Sequence, residues 1–389
     1  MIGKNQSVFD KEALMGTKPG KQIIKQKIFK SKGFKLFNRY KEEAESGFPD
    51  FARRFTADLL REMDSDPDPA ATLRAFADEV GSQEMMLSAS GIEKATTRLA
   101  SPEEMGKRVG RILDSNFVKM TFPVFNALFD GAAAVAESGS AYDSSHNNNN
   151  NNDGRRELRQ NVVEGHILAI DLSEPMDRII DKDEDLEYLD DYRLMNPYIL
   201  RLARRRISMA GDAVLNSFEK GFADARWGQD ADEQMKSDPA AITGEQMELS
   251  YKKYRAVMGT AGRNMALAER PLGDIFYLGM AKAAEGVGCG NEMEDSVRDK
   301  AIKRPSWPLY YSLLSGSSRV GFDATLAKAG LYMEDARLAV GLLPEEFPNT
   351  PLLELLFVTM DHYNQYWYGQ LQQINAWSEL DASLPEMQP

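Results

Sequence analysis

The side chains of this sequence best placed to do chemistry are cations set beside aromatic rings. In residues 303–321, KRPSWPLYYSLLSGSSRVG, the cations Lys303, Arg304 and Arg319 flank Trp307, Tyr310 and Tyr311. Lysine and arginine neutralise phosphates, rings offer stacking faces, and small Ser and Gly residues let backbone N–H groups approach oxyanions. That mixture suits holding a charged, flat-based polymer. The same stretch also reads as a proline-flanked helix start with a packed tyrosine pair, and adjacent tyrosines on a helix point in different directions.

Two more basic groups stand upstream. If residues 198–218 form one helix, Arg201, Arg204 and Arg205 fall at i, i+3 and i+4 and share a face. Against a phosphate backbone such a triplet positions without reading sequence; otherwise it is a solvated helix face. Residues 247–270 add Lys252, Lys253 and Arg263 beside Gly259, Ala261 and Gly262, where small side chains permit close backbone approach.

Bond-making signatures are missing. The three histidines, His146, His166 and His362, are scattered, and Cys289 is the one cysteine. There is no HExxH, no paired CxxC and no GxSxG, and the glycine-rich residues 271–290 contain neither a dinucleotide fingerprint nor a P-loop. The expectation is no catalytic residue, no metal, no cofactor and no enzymatic activity.

These groups need elements to carry them. Helical spacing is clear in Phe48, Phe51, Phe55, Leu59 and Leu60 and in Leu73, Phe76 and Val80. Breaks are expected at Ser65–Pro69 and at Ser101-Pro102-Glu103-Glu104, where Ser101 is an N-cap, Pro102 the first helical residue and Glu104 the end of a capping box. Residues 138–156 hold an asparagine run that cannot supply a core, hence an exposed loop. Residues 227–245 read as a hinge, 320–343 and 350–371 as two further helices. The class is all-α.

A chain of 389 residues is long for one core, which favours two domains. The expected division is an N-terminal arm at 1–33, an N-terminal helical lobe at 34–243, a C-terminal lobe at 244–370 and a C-terminal arm at 371–389, with a groove between the lobes. The net charge of −13 is unevenly spread: residues 1–41 hold ten lysines and Arg39 against Asp10 and Glu12, a balance of +9 that leaves −22 to the remainder. A basic arm beside an acidic body binds phosphate or docks on a neighbouring copy. Neither a membrane span nor a signal peptide is read, and a single cysteine fits a reducing compartment.

Three runs then resemble a known family. Tyr254-x-x-x-Met258-Gly259-Thr260-Ala261, Asp274 to Met280, and Trp307-Pro308-Leu309-Tyr310-Tyr311-Ser312 are similar to the Tyr-x-x-Met-Gly-x-Thr-Ala and Tyr-Pro-Leu-Leu-Trp-Ser runs of paramyxovirus nucleoproteins. With its length and basic arm, the chain resembles the nucleoproteins of non-segmented negative-strand RNA viruses, those of mymonaviruses in particular. Either 275–279 or 308–312 fits the second run.

The resemblance implies encapsidation of single-stranded RNA by phosphate contacts and polymerisation into a helical nucleocapsid through arm exchange. Its partners would be RNA, further copies in a filament or ring, and a viral polymerase or its cofactor, with no membrane; its location, the virion nucleocapsid and host cytoplasm. Arg201, Arg204, Arg205, Lys252, Lys253, Arg263, Lys303, Arg304 and Arg319 would hold phosphates and Tyr310 or Tyr311 would stack. A helical scaffold that assembles without nucleic acid is the alternative, and a helical enzyme the third reading.

Overall fold

Proline, glycine and small polar caps cut this sequence into helices. The computed structural model describes residues 31–113, 116–139, 151–180, 188–302, 304–374 and 377–385, and among these there is no strand. The all-α class is therefore as expected. In chain order the helices are α1 Lys32–Asp64, α2 Pro69–Val80, α3 Ala89–Leu99, α4 Pro102–Leu113, α5 Asn116–Gly139, α6 Asn151–Ile180, α7 Leu189–Ser208 and α8 Asp212–Lys236. They continue with α9 Gly244–Ser250, α10 Lys252–Met265, α11 Leu272–Asp299, α12 Trp307–Ser315, α13 Ser318–Val340, α14 Thr350–Ile374 and α15 Trp377–Ala382.

The caps sit where their chemistry puts them. Asp68 accepts from the Ala71 N–H with Pro69 opening α2, and Ser101 Oγ lies 3.4 Å from the Glu104 N–H at the start of α4. Thr243 and Gln246 form a reciprocal capping box on α9. Ser306 caps α12 through the Leu309 N–H at 3.2 Å, and Gly316, left-handed at φ +68°, ends it.

Three expected boundaries move. A single helix over 198–218 is interrupted at 209–211, because Gly211 takes φ +101°, a conformation that breaks the helical repeat. Trp227 lies inside α8, so the looser segment shrinks to 237–243. The asparagine run enters α6 from Asn151, whose first turn carries Asp153 against the positive helix end. Residues 1–30 of the expected arm, and 140–150 of the expected loop, lie outside the described residues.

The helices group into two units that are each discontinuous in sequence. The large unit takes Met1–Phe37, Ala127–Tyr142 and Ser217–Pro389; the small unit takes Asn38–Asn126 and Asp143–Asn216. In the small unit Phe51, Phe55, Leu59, Leu73, Val109, Val162 and Tyr198 are buried. Its interior acids are each held by two arginines. Asp191 meets Arg108 at 2.9 Å and Arg98 at 3.0 Å, and Glu164 meets Arg54 at 2.7 Å and Arg206.

The core of the large unit is built on Tyr251, Cys289, Met293, Trp307, Phe322 and Tyr332. Leu371 and Leu380, in the stretch read as a C-terminal arm, are fully buried in it.

Candidate functional site

Small residues on α10 and α11 bring two helices close enough to bury a charge network. A side chain at Gly262 would meet the Phe276 carbonyl oxygen at 2.9 Å, and one at Gly259 would meet the Tyr277 ring at 2.9 Å. At that spacing Arg255 of α10 reaches Glu285 of α11, which is 0% exposed. Glu285 Oε1 accepts from Arg255 Nε at 2.7 Å, and its Oε2 lies 3.0 Å from Lys282 Nζ. Arg255 continues to Glu248 at 3.7 Å, and Lys328 of α13 donates to the same Glu248. A buried carboxylate with two cations is strongly harmed by loss of either one.

Rings enclose one side of this network. Lys328 Nζ lies 4.1 Å from the Trp307 ring centroid and 5.1 Å from that of Tyr332, with Lys282 Nζ 4.9 Å from Tyr332. Cations over ring faces are attracted by the quadrupole, more so where water is scarce. Tyr251 meets Trp307 at 5.8 Å and Tyr332 at 6.2 Å, and Tyr311 stacks on Trp307 at 5.4 Å and 21°. Burial pushes the Tyr251, Tyr332 and Cys289 groups up, so all three stay protonated near neutrality.

Glu292 sits behind the rings. Its Oε2 accepts the Trp307 N–H at 3.0 Å. Burial pushes its carboxyl up to about 8, against the lowering effect of the Tyr251 hydroxyl and the Trp307 N–H. A carboxyl that keeps its proton near neutrality has the protonation of a general acid. The cluster thus combines three cations, Arg255, Lys282 and Lys328, with aromatic faces and one neutral acid.

The residues singled out from the sequence fall into separate surroundings. Arg201, Arg204 and Arg205 do share a face of α7, in the small unit. Arg201 lies 3.6 Å from Glu62, Arg205 pairs with Glu62, and Arg204 pairs with Glu79. In the large unit Lys253 meets Asp232 at 3.1 Å, Lys252 lies 3.8 Å from the Trp227 ring centroid, and Arg263 meets Asp274 at 2.9 Å. Exposed Arg304 is felt by Asp295, and exposed Arg319 by the Tyr368 hydroxyl. Lys303 lies outside the described residues.

Tyr310 and Tyr311 are half-buried and both pack on Trp307, Tyr310 edge-on at 5.6 Å. The plain reading of 303–321, a capped helix start with packed tyrosines, describes them. Glu248, Lys282, Glu285, Lys328 and Tyr332 escaped notice in the sequence. One signal was present: Glu285 is an acid within AKAAEGVGCG, a run of small core-type residues, with Lys282 three positions before it.

No family model and no curated protein matches this chain. Two solved structures share its helical arrangement. A geranylgeranyl pyrophosphate synthetase from the archaeon Geoglobus acetivorans matches at TM-score 0.52 and 13% identity, over 79% of this chain and 98% of that one. A geranyltranstransferase from Methanosarcina mazei matches at TM-score 0.49 and 14% identity, over 76% of this chain and 96% of that one. At 13% identity the likeness to the first is one of fold.

That fold overturns the viral nucleoprotein resemblance and everything resting on it. RNA encapsidation and the nucleic-acid-free scaffold both fall, as do single-stranded RNA, a viral polymerase and filament formation as partners. So do the virion nucleocapsid location and the expectation of no enzymatic activity. The runs that carried the resemblance have a packing explanation. Met258 and Ala261 are buried, Gly259 makes room for Tyr277, and Trp307 and Leu309 lie in the core. Among the described residues no helix is long and apolar enough to cross a membrane.

Proposed function

We propose that this chain acts on an isoprenoid diphosphate, held in the large unit with its charged head on Lys328 and Arg255 and its unsaturated tail against Tyr310 and Tyr311. One observation carries the reading: Lys328 and Arg255 converge on Glu248, whose side chain is 44% exposed, directly beside ring faces. A diphosphate oxygen taking the place of that open carboxylate inherits two cations already fixed in position. Glu285, fully buried, keeps Arg255 and Lys282 where they are. The substrate class comes from the fold likeness to a geranylgeranyl pyrophosphate synthetase, which supports the reading by analogy of fold.

The reaction this arrangement suits is heterolysis of the allylic C–O bond, the electron pair leaving with the diphosphate. Lys328 and Arg255 would stabilise the leaving group and the ring faces the allylic cation. Among the described residues no group of three or more His, Cys, Asp or Glu side chains is placed to hold a metal ion.

Calorimetric titration of the full chain with geranylgeranyl diphosphate, geranylgeraniol and inorganic diphosphate tests the proposal. The ester is expected to bind more tightly than either part, and Lys328→Met to weaken it about tenfold, the loss of one charge-assisted contact. Diphosphate release, followed with and without added divalent cation, reads turnover. Equal affinity for ester and alcohol, or an unchanged affinity in the Lys328 variant, would overturn it.

A further inference from the structure

The cations of the cluster around α10, α11 and α13 are already matched by acids. Arg255, Lys282 and Lys328 face Glu248, Glu285 and Asp335, the last 3.8 Å from Lys282. The two acids on Arg255 are not held alike. Glu285 is fully buried between Arg255 and Lys282, so its departure would strand charge in the interior. Glu248 stands at the open edge, its side chain 44% exposed.

That one carboxylate gathers three donors. Glu248 Oε1 accepts from Lys328, its Oε2 lies 3.7 Å from Arg255 Nη2, and the Tyr332 hydroxyl lies 3.4 and 3.5 Å from the two oxygens. Two cations and a hydroxyl from α10 and α13, converging on two oxygens, are the donor set that a phosphate group takes. The backbone beneath is anchored. Thr243 and Gln246 cap α9 reciprocally, and Met247 and Tyr251, on either side of Glu248, are buried in the core. Movement is therefore left to the Glu248 side chain, which turns toward the solvent it already meets. A carboxylate on so short a tether acts at an effective concentration far above that of a free anion.

We infer that Glu248 is a built-in competitor of the ligand's charged head: it fills the cation pair while the site is empty, yields to a polyanion, and returns to expel diphosphate. The inference rests on the proposed reading of Lys328 and Arg255 as head-group ligands. A site occupied by its own carboxylate binds every anion more weakly, in proportion to the fraction of time it stands open. Feebly bound anions are thereby kept out, and a tightly bound product is released sooner.

The test is calorimetric titration of the full chain and of Glu248→Gln with inorganic diphosphate and with geranylgeranyl diphosphate, melting curves verifying the fold. The glutamine keeps an acceptor for Lys328 and Tyr332 and removes the charge. Both ligands are expected to bind the variant about tenfold more tightly, the reverse of what loss of a merely structural contact would give. Glu248→Asp, with the charge on a shorter arm, is expected to fall between the two, and Glu345→Gln, which removes an exposed acid elsewhere, to change nothing. Equal or weaker binding of diphosphate by Glu248→Gln, binding by neither chain, or the same gain in Glu345→Gln would overturn the inference. Tighter diphosphate binding in Glu248→Gln, with the ester bound no better than geranylgeraniol, would uphold it and overturn the substrate reading instead.

Discussion

Glu292 and His166 are carboxyl and imidazole groups that the interior holds away from their ordinary charge states. Burial lifts Glu292 to about 8. Its folded value thus exceeds its unfolded one, so its contribution to stability is complete below about pH 4.5 and is lost as pH rises to about 8. Glu292→Gln keeps an acceptor for the Trp307 N–H and removes the titration. Urea midpoints of the two proteins are expected to separate progressively across that window, the variant becoming the more stable by on the order of a few kcal/mol at its upper end. Parallel curves would mean that the folded carboxyl ionises normally.

His166 behaves oppositely. It is buried, its Nδ1 lies 2.9 Å from the Val162 carbonyl oxygen, and burial pushes it down to about 4. The unfolded chain takes a proton that the fold refuses, so stability present above about pH 6.5 is lost as pH falls toward 4. Nitrogen-15 NMR at about pH 5.5 is expected to show a neutral ring protonated at Nδ1; an imidazolium signal would contradict the geometry. The sequence showed a lone histidine in an apolar run, and its burial was legible only from the helix that packs over it.

At the scale of elements, two glycines separate close packing that can yield from close packing that cannot. A side chain at Gly286 would meet the Met333 Cε at 2.4 Å, the free end of a flexible residue. At Gly262 it would meet the Phe276 carbonyl oxygen and Met280 Cγ, each at 2.9 Å, and backbone does not step aside. Gly262→Ala is therefore expected to cost about 1–3 kcal/mol and Gly286→Ala less, as read from urea unfolding. Equal costs would mean that α10 and α11 slide apart freely.

Element ends were largely legible because caps are local. Asp68-Pro69, Ser101-Pro102 and Ser306 each announce a helix within four residues of sequence, and α13 and α14 lie within three residues of their expected ends. The turn at 209–211 was hidden, because apolar spacing runs on through Val214 and Phe218 and only the φ of Gly211 breaks it. The site was less legible still. Cations show in a sequence, but their acids are remote: Arg204 and Arg205 find Glu79 and Glu62, more than a hundred positions away. Gly-Thr-Ala and Trp-Pro-Leu runs resembled a family motif because tight helix packing asks for the same residue types.

The whole molecule depends on chain order in a way that no contiguous division captures. Helix α5 crosses from one unit to the other, its residues from Ala127 onward belonging with Ser217–Pro389. The joints are specific. Asn349 Nδ2 donates to the Ala127 carbonyl at 2.7 Å, and Gly131 leaves room for the Phe347 ring, which a side chain there would approach to 2.3 Å. Phe347 in turn meets Phe276 of α11 at 5.4 Å. A fragment spanning 217–389 would lose all of α5, leaving buried Asn349 without its acceptor and buried Phe347 without the Gly131 surface it packs on. Unmet buried polar groups and bared apolar surface each cost more than a surface contact. The fragment is therefore expected to bind a hydrophobic dye and to melt without a cooperative transition, whereas the full chain melts cooperatively. If the fragment instead unfolded sharply within a few degrees of the full chain, the large unit would be complete without α5.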